Sequence, residues 1–193
     1  MSTAGSKKKK GIGVKVLVVI LVIAIVAGGA IILVKNTRYP LEYEELIVQY
    51  SDEFGLDPYM VAAVIYTESG FDASAVSRSG AIGLMQIMPE TGEWIAGKFD
   101  INNFKDNMLF DPQTNIRFGC WYLGFLEERF EGDNRLVWAA YNAGHNRVNQ
   151  WLDDPAVSLD GKRLDNIPIE ETKQYVEKVE KAHQRYKEYY EIG

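Results

Sequence analysis

The sequence predicts an all-α protein, α+β at most by one short hairpin, in which one transmembrane helix precedes a single helical domain. Three observations predict this class. A run without any polar residue lies near the start of the 193 residues, apolar residues recur at helical spacing through most of the remainder, and strand signals are sparse. The charge changes at the same point, because residues 1–38 hold seven of the 21 basic residues and none of the 27 acidic ones. A basic head therefore precedes an acidic body.

The apolar run Val16–Val34 is 19 residues long. As a helix it would extend about 28 Å at about 1.5 Å per residue, which matches the hydrocarbon core of a bilayer, about 30 Å thick. Lys15 and Lys35 bracket the run, and their charged ends can reach the headgroups. A cleaved signal peptide is the alternative, since small residues cluster at Ala27–Ala30, but the run exceeds a usual apolar region of about 7–15 residues. The sequence therefore predicts an uncleaved anchor over residues 12–34.

The basic residues of the head also predict its orientation. Five lysines precede the apolar run, and two basic residues follow it. Because basic flanks stay on the cytoplasmic side, residues 1–11 are expected to form a cytoplasmic tail and residues 35–193 an extracytoplasmic domain. The cytoplasmic membrane is the expected partner of residues 12–34. No nucleic-acid partner is expected for Lys7–Lys10, because no aromatic or basic cluster follows that run.

The domain begins with two predicted helices. Apolar and aromatic residues at helical spacing predict the first at Leu41–Phe54, and Gly55 is expected to end it. Asp57 followed by proline is typical of an N-cap and the first helical residue. The second predicted helix, Pro58–Glu68, is apolar on all sides up to its last residue, so it is expected at the centre of the domain.

The rest of the domain is also predicted to be helical. The Asp-Pro start signal recurs at Asp111, and Asp133 is expected to cap another helix. Gly80 and Gly83 interrupt residues 77–88, for which a short β-turn or a distorted hairpin is expected. The predicted helices of this part are Pro112–Phe130, Asn134–Asn142, about Asn146–Leu152 and about Glu170–Glu191.

The supply of cysteine and histidine restricts the chemistry. Cys120 is the single cysteine and is expected to be a small buried hydrophobic residue. His145 and His183 are the two histidines and lie far apart in sequence, so a transition-metal site has few ligands available. A serine or cysteine triad would need one of them, and no G-x-S-x-G nucleophile elbow occurs. A transition-metal site and a histidine-dependent triad are therefore not expected.

Glu68 does not fit its surroundings. It follows nine uncharged residues, Tyr59–Thr67, and stands where the predicted helix ends. Apolar surroundings and the negative end of a helix dipole both disfavour the carboxylate and raise its pKa. A carboxylic acid tuned in this way can donate a proton near neutral pH, as glycosidic cleavage requires. The alternative is an exposed residue at the end of a helix, paired with Arg78 or a lysine.

Four motifs in order resemble the catalytic region of lytic transglycosylases of the soluble-transglycosylase type, which belong to glycoside hydrolase family 23 alongside goose-type lysozymes. Together they cover most of residues 56–180, and the resemblance implies a lysozyme-like helical domain. The motifs are ESGFDASAVS at 68–77, GAIGLMQIMP at 80–89, AYNAG at 140–144, and IPIEET at 167–172 with Tyr175 and Val176.

The resemblance implies a role for seven residues. Glu68 corresponds to the single catalytic acid and base. The residues implied to bind substrate or line its cleft are Ser69, Ser77, Gln86, Tyr141, Asn142 and Glu171.

Four of these polar residues also have a structural alternative. Ser69 can end a helix, Ser77 can stabilise a loop turn, and Glu171 can be a favourable charge in the first turn of the last helix. The Tyr141 hydroxyl is expected to point at Glu68 or at the substrate. Asn142 can instead hydrogen-bond the backbone near the end of its helix.

The implied reaction is non-hydrolytic cleavage of peptidoglycan glycan strands at the β-1,4 bond between N-acetylmuramic acid and N-acetylglucosamine, which leaves 1,6-anhydro ends. The implied reaction needs no metal and no organic cofactor. Usual glycosidases place two carboxylates at the bond, and assistance by Asp72 or Glu170 stays open. Two alternatives also stay open: a hydrolytic muramidase of the same fold, and a non-catalytic peptidoglycan-binding scaffold protein.

Overall fold

The computed structural model describes residues 16–26, 28–29 and 37–193. The chain divides into two units, residues 1–39 and residues 40–193. In the first unit, residues 16–26 and 28–29 are helical. Among the described residues, no helix combines the length and the apolar character needed to cross a membrane. The predicted tail and the remainder of the predicted anchor, at residues 12–15, 27 and 30–34, lie outside the described residues.

The second unit consists mainly of helices joined by turns and loops, and residues 37–193 contain no strand, which confirms the predicted all-α class. One 3-10 segment, Asp106–Phe110, lies before the fourth helix. The helices are α1 (Glu44–Phe54), α2 (Pro58–Ser69), α3 (Pro89–Lys98), α4 (Pro112–Arg129), α5 (Asn134–Ala143), α6 (His145–Leu152) and α7 (Glu170–Tyr189).

Aspartates begin three of the helices, as the sequence predicts. The side chains of Asp57, Asp111 and Asp133 each accept a hydrogen bond from a backbone N–H two or three residues further on, at 2.9–3.1 Å. Such a bond satisfies one of the N–H groups that a helix start leaves without a partner. Gly55 ends α1 in the left-handed region, with φ of 68°.

Several predicted boundaries and one omission need correction. The first helix begins at Glu44 and not at Leu41, because Tyr43 adopts a left-handed conformation with φ of 56°. The predicted helix that ends at Glu68 continues to Ser69, α4 ends at Arg129, α5 ends at Ala143, α6 begins at His145 and α7 ends at Tyr189. Helix α3 has no counterpart in the sequence prediction. Two glycines among its ten residues weaken the helical signal.

Helix α2 forms the centre of the domain, as predicted. Residues 60–65 are at most 1% exposed. The helix packs most extensively against α7, which also packs against α5, and α4 packs against α1 and α5. The C-terminal end of α2 therefore faces a space that α5 and α7 border.

The segment between α2 and α3 is the irregular hairpin that the two glycines suggested. It contains two isolated antiparallel bridges, Val76 with Ile82 and Ile82 with Ile87. A buried amide on α4 fixes this segment: Asn115 accepts from the Met85 N–H at 2.7 Å and donates to the Ile82 carbonyl at 2.9 Å. The hairpin is thereby held at the C-terminal end of α2.

Candidate active site

Glu68 lies in the last turn of α2, half-buried, directly before the Ser69-Gly70 end of the helix. Burial raises the pKa of Glu68 to about 7, and a hydrogen-bonding contribution from Tyr175 opposes part of that rise. Among residues 37–193, no cation lies within ion-pair distance of the carboxyl, so the alternative of a pairing with Arg78 does not occur there. Part of the Glu68 population therefore keeps its proton at neutral pH.

Two tyrosines surround this carboxyl from neighbouring helices. Burial, followed by the charge of Glu68, raises the pKa of Tyr141 on α5 and of Tyr175 on α7 well above the usual value. The two phenols therefore stay protonated and can only donate or accept hydrogen bonds.

The two hydroxyls are used differently. Tyr141 donates to the Met85 carbonyl at 2.8 Å, so its proton is held by the hairpin. The buried Tyr175 hydroxyl makes no hydrogen bond of ordinary geometry within residues 37–193, although it acts on the Glu68 carboxyl. A small movement of either side chain would let Tyr175 donate to the ionised form of Glu68.

The backbone of Met85 connects the hairpin to two helices by hydrogen bonds. Its N–H donates to Asn115 of α4, and its carbonyl accepts from Tyr141 of α5. Gly83 is required nearby: its φ is +80°, and a Cβ there would collide with the Asn115 amide and the Leu109 carbonyl. The position of the hairpin beside Glu68 is therefore set by buried contacts and is not left to a free loop.

Gln86 is held in a strained backbone conformation, with φ of 48°. Its side-chain nitrogen donates to the carbonyls of Gly83 at 2.9 Å and Ala75 at 3.2 Å. Both contacts use the amide nitrogen, so the amide oxygen can accept a hydrogen bond from a ligand. A non-glycine residue with positive φ is uncommon and often marks a functional position.

The two serines take part in the local fold. The Ser69 hydroxyl donates to the carbonyls of Leu84 at 2.8 Å and Ile65 at 3.2 Å, so it ties the end of α2 to the hairpin. Ser77 is exposed, and its oxygen accepts from the Ala81 N–H at 3.0 Å, which leaves its own proton for another acceptor. Substrate contacts by Ser69 and Ser77 stay predictions.

Asn142 and Glu171 lie where α5 ends and α7 begins. The Asn142 oxygen accepts from the Thr172 hydroxyl at 2.8 Å, a side-chain contact and not the backbone contact considered from the sequence. Glu171 is exposed in the first turn of α7. Both stay predicted substrate contacts.

The other two carboxylates raised by the sequence are engaged locally. Asp72 is exposed and accepts from the N–H and hydroxyl of Ser74 at 2.8 and 2.7 Å. Glu170 accepts from Gln174 at 2.9 Å along α7. Neither contact involves Glu68, and the two residues whose titration is coupled to that of Glu68, Tyr141 and Tyr175, are both tyrosines.

A cleft of about 210 Å³ brings together three of the predicted residues, Gln86, Tyr141 and Asn142. Glu68 adjoins it through Tyr141, whose pKa responds to the charge of Glu68. Ser69, Ser77 and Glu171 are not part of its lining. The remaining lining residues are Ile87, Met88, Thr91, Ile95, Tyr122, Ala143 and Gly144.

Sequence reasoning missed Tyr175, Asn115 and the cleft residues of α3 and α4. Tyr175 stands in the fourth motif, but its helical spacing placed it with the core-facing residues. Asn115 had one signal, a polar residue within an otherwise apolar face of α4. In the described part of the chain, no three His, Cys, Asp or Glu side chains cluster in a way that could hold a metal ion.

Comparison with known proteins gives a consistent result. The model of the transglycosylase SLT domain matches residues 45–160. The chain is 37% identical over 145 residues to the soluble lytic murein transglycosylase of Escherichia coli K12, covering 74% of this chain and 22% of that protein. It is 34% identical over 116 residues to the membrane-bound lytic murein transglycosylase C of Edwardsiella ictaluri, covering 55% of this chain and 32% of that protein.

Among solved structures, the chain is similar to an inactive glutamate-to-glutamine mutant of the lytic transglycosylase Slt from Pseudomonas aeruginosa. The TM-score is 0.70 at 34% identity, covering 80% of this chain and 25% of that one. The chain thus spans between about a fifth and a third of the length of these relatives.

Proposed function

The chain belongs to the transglycosylase SLT domain family, and we propose that it is a peptidoglycan lytic transglycosylase whose single acid and base is Glu68. One observation carries the proposal. Glu68 stands at the end of a buried helix with a pKa of about 7 and with Tyr141 and Tyr175 beside it, and no cation of residues 37–193 lies within ion-pair distance of its carboxyl. A group with this pKa can give and regain a proton at the pH of the reaction.

The proposed reaction uses that carboxyl twice. Protonated Glu68 donates its proton to the oxygen of the β-1,4 bond between N-acetylmuramic acid and N-acetylglucosamine, and the bond from C1 to that oxygen breaks. The resulting carboxylate takes the proton of the muramyl 6-hydroxyl, whose oxygen forms a new bond to C1. Glu68 ends as it began, no water is consumed, and the product carries a 1,6-anhydro ring.

A single carboxylate is sufficient because the nucleophile belongs to the substrate. An enzyme that activates water or forms a glycosyl intermediate uses a second carboxylate on the other side of the bond. Asp72 and Glu170 are held in local contacts. The substrate's acetamido oxygen can stabilise the positive charge at C1, as in substrate-assisted enzymes.

Tyr175 is suited to hold the carboxylate between the two steps. Its hydroxyl is buried and interacts with Glu68. A donor to the ionised form stabilises that form, so Tyr175 keeps the pKa of Glu68 from rising so far that the carboxyl could no longer act as an acid. We assign Tyr175 as a positioning residue.

The remaining predicted residues are proposed to orient the glycan strand. Gln86 offers its amide oxygen and Ser77 its hydroxyl proton to sugar substituents. Asn142 lies in the cleft lining, and Glu171 lies one residue before Thr172, which bonds Asn142. Ser69 contributes by fixing the end of α2 against the hairpin.

Mass spectrometry of digested peptidoglycan tests the reaction. Purified full chain incubated with sacculi is expected to release muropeptides with 1,6-anhydro ends, and the Glu68→Gln variant is expected to release almost none. Reducing ends would instead identify a hydrolytic muramidase. Binding to sacculi without release of any product would identify a scaffold protein.

A membrane anchor is a second part of the proposal. Support comes from the uninterrupted apolar run of 19 residues and its basic flank, and from a relative that is named as membrane-bound. Residues 1–11 are proposed to be a cytoplasmic tail, residues 12–34 a single-pass anchor and residues 35–193 an extracytoplasmic domain. Because peptidoglycan lies outside the cytoplasmic membrane, this orientation would bring the domain to its substrate.

Fractionation of cells tests the anchor. The full chain is expected in the membrane fraction after an alkaline wash, and a matched variant without residues 1–38 is expected in the soluble fraction. Proteolysis of spheroplasts should digest the domain and spare the tail. A mature chain that begins near residue 30 and washes off membranes would refute the anchor and support a cleaved signal peptide.

A further inference from the structure

Five aromatic side chains form a continuous patch beside the cleft, and nothing in the proposed reaction uses most of them. The aromatic patch consists of Trp94 on α3, Trp121, Tyr122 and Phe125 on α4, and His145 on α6. Three separate helices thus contribute rings to one place on the surface.

The rings of the patch are in direct contact. Trp94 meets Trp121, Tyr122 and Phe125 in edge-to-face geometry, with centroids 5.1, 6.2 and 5.3 Å apart. Phe125 lies nearly parallel to Trp121 and Tyr122, with interplanar angles of 7° and 13°. His145 packs against the far side of the same group, 5.4 Å from Phe125. The arrangement holds Trp94 in one orientation.

The patch is not part of the core. Trp94 is 38% exposed, and the other four rings are half-buried. Tryptophan is usually buried to a large extent, because leaving its ring in water forgoes a substantial hydrophobic gain. Lys98 places its ammonium over the Trp94 ring, 5.8 Å from the ring centre, and more than a third of the Trp94 side chain stays accessible.

The patch continues the wall of the cleft. Tyr122 belongs to both, since it lines the cleft and contacts Trp94. Thr91 lines the cleft, and Trp94 lies three residues further along α3, on the same helical face. Neighbouring rings also lead outward from the active site: Tyr141 beside Glu68 lies 5.5 Å from Tyr122, which in turn lies against Trp94.

We propose that the aromatic patch is an accessory sugar-binding site, on which a more distant N-acetylhexosamine ring of the same glycan strand stacks against Trp94. This inference rests on the proposed function, because it takes the strand in the cleft to be a long polysaccharide. The apolar C–H face of a pyranose ring matches the flat apolar face of an indole, and continuity with the cleft places such a ring within the run of a single strand. The site would favour long strands over short fragments.

Binding measurements on oligosaccharides of two lengths test the patch. The full chain in detergent, carrying Glu68→Gln to prevent cleavage, is titrated calorimetrically with the disaccharide and the hexasaccharide of β-1,4-linked N-acetylglucosamine. Trp94→Leu in this background removes the aromatic face but keeps apolar volume, and Trp94→Tyr keeps an aromatic ring. Phe125→Leu removes a second ring of the patch. Phe110→Leu is the matched control, since Phe110 is 40% exposed and lies outside both patch and cleft.

Loss of the aromatic face is expected to weaken hexasaccharide binding by up to about tenfold and to leave disaccharide binding unchanged. Trp94→Tyr should retain most of the affinity, Phe125→Leu should reproduce part of the loss, and Phe110→Leu should have no effect. Thermal unfolding shows whether each variant is folded. If Trp94→Leu does not fold, the affinity of Phe125→Leu decides the test.

Three results would refute the proposal that the aromatic patch binds sugar. One is unchanged hexasaccharide affinity in Trp94→Leu and Phe125→Leu. Another is an equal loss for both oligosaccharides, which would indicate general damage to the cleft. The third is a loss of binding to vesicles of anionic phospholipid with glycan binding intact, which would identify a membrane contact. Release of anhydro-muropeptides by the wild-type chain distinguishes these results from failure of the proposed function, because it tests the reaction with Trp94 intact.

Discussion

The two ends of α2 hold a carboxylate in very different surroundings. At the N-terminus, burial alone would raise the pKa of Asp57, but hydrogen bonds from His183 and Lys187, both at 2.8 Å, outweigh it and hold the pKa below the usual range. At the C-terminus, about 16 Å away at about 1.5 Å per residue, burial raises the pKa of Glu68 to about 7, and no cation in the described part of the chain pairs with its carboxyl.

The comparison shows that burial does not by itself decide how a carboxyl titrates. Asp57 caps the helix through the Tyr59 N–H, at the end where the dipole favours an anion. Glu68 stands at the end where the dipole disfavours one. The Asp57 carboxylate stabilises the fold, whereas the ionised Glu68 carboxylate destabilises it. A destabilising charge in a buried position is expected of a residue that takes part in catalysis.

The largest expected effect comes from removing the acid. Glu68→Gln keeps the shape of the side chain but cannot donate a proton, so turnover of peptidoglycan should fall by about 10²–10⁴-fold. Release of soluble muropeptides measures it. Asp57→Asn is the matched control at the other end of the helix and should retain wild-type turnover. Equal losses in both variants would mean that Glu68 has no special role.

Stability should depend on pH in opposite directions at the two ends. The folded pKa of Glu68 exceeds its ordinary value of 4.5, so the folded state binds more protons between these values and loses stability as pH rises through about 7. At about pH 8, Glu68→Gln should be more stable than wild type by about 3 kcal/mol, and the difference should vanish near pH 4. Asp57 has a lowered pKa, so its contribution is present above its ordinary value of 3.8 and is lost as pH falls below it. Urea unfolding from about pH 2 to about pH 8 measures both contributions, and a pH-independent difference for Glu68→Gln would rule out the raised pKa.

Asp57 combines a cap with an ion pair, and two variants separate them. Asparagine also caps helices well, so Asp57→Asn should lose only the charge, whereas Asp57→Ala should lose both and cost about 1–2 kcal/mol of unfolding free energy. The carboxyl is a third exposed, which limits the contribution of the charge. Chemical denaturation at neutral pH gives the values. Equal costs for the two variants would show that the cap contributes nothing.

The smallest expected effect concerns Tyr175. Because its hydroxyl lowers the pKa of Glu68, Tyr175→Phe should raise that pKa by up to about one unit and move the basic limb of the pH–rate profile upward by the same amount. Tyr141→Phe is the comparison, since that hydroxyl bonds Met85 and not Glu68. A shift in the Tyr141 variant and none in the Tyr175 variant would reverse the assignment.

Local signals were sufficient for most of the fold. Aspartate caps, Gly55 and the apolar sequence of α2 each act within a few residues, so the sequence alone identified the central helix and its neighbours. Helix α3 was missed because Gly92 and Gly97 conceal it, and tertiary packing stabilises it instead. The predicted start of α1 was wrong because no sequence signal indicates the left-handed backbone conformation of Tyr43.

The candidate site also contains residues that the sequence identified and residues that it did not. Glu68 was found from its position after an uncharged run, and the motifs brought Gln86, Tyr141 and Asn142 to one cleft. The role of Tyr175 could not be predicted, because it depends on contact with Glu68 on another helix. Within α7 alone, Tyr175 has the spacing of a core residue. The sequence pattern thus identified Glu68 as an unusual charged residue, and only the tertiary packing identified the tyrosines that surround it.

Titration of the Glu68 carboxyl, followed by its ¹³C side-chain chemical shift in the full chain, is the most direct test of Glu68 as the acid. We expect a midpoint of about 7, and the signal should be absent from a Glu68→Gln sample, which identifies it. A midpoint near the ordinary value of 4.5 would refute this role, because Glu68 would then be ionised throughout the working range and could not protonate the glycosidic oxygen.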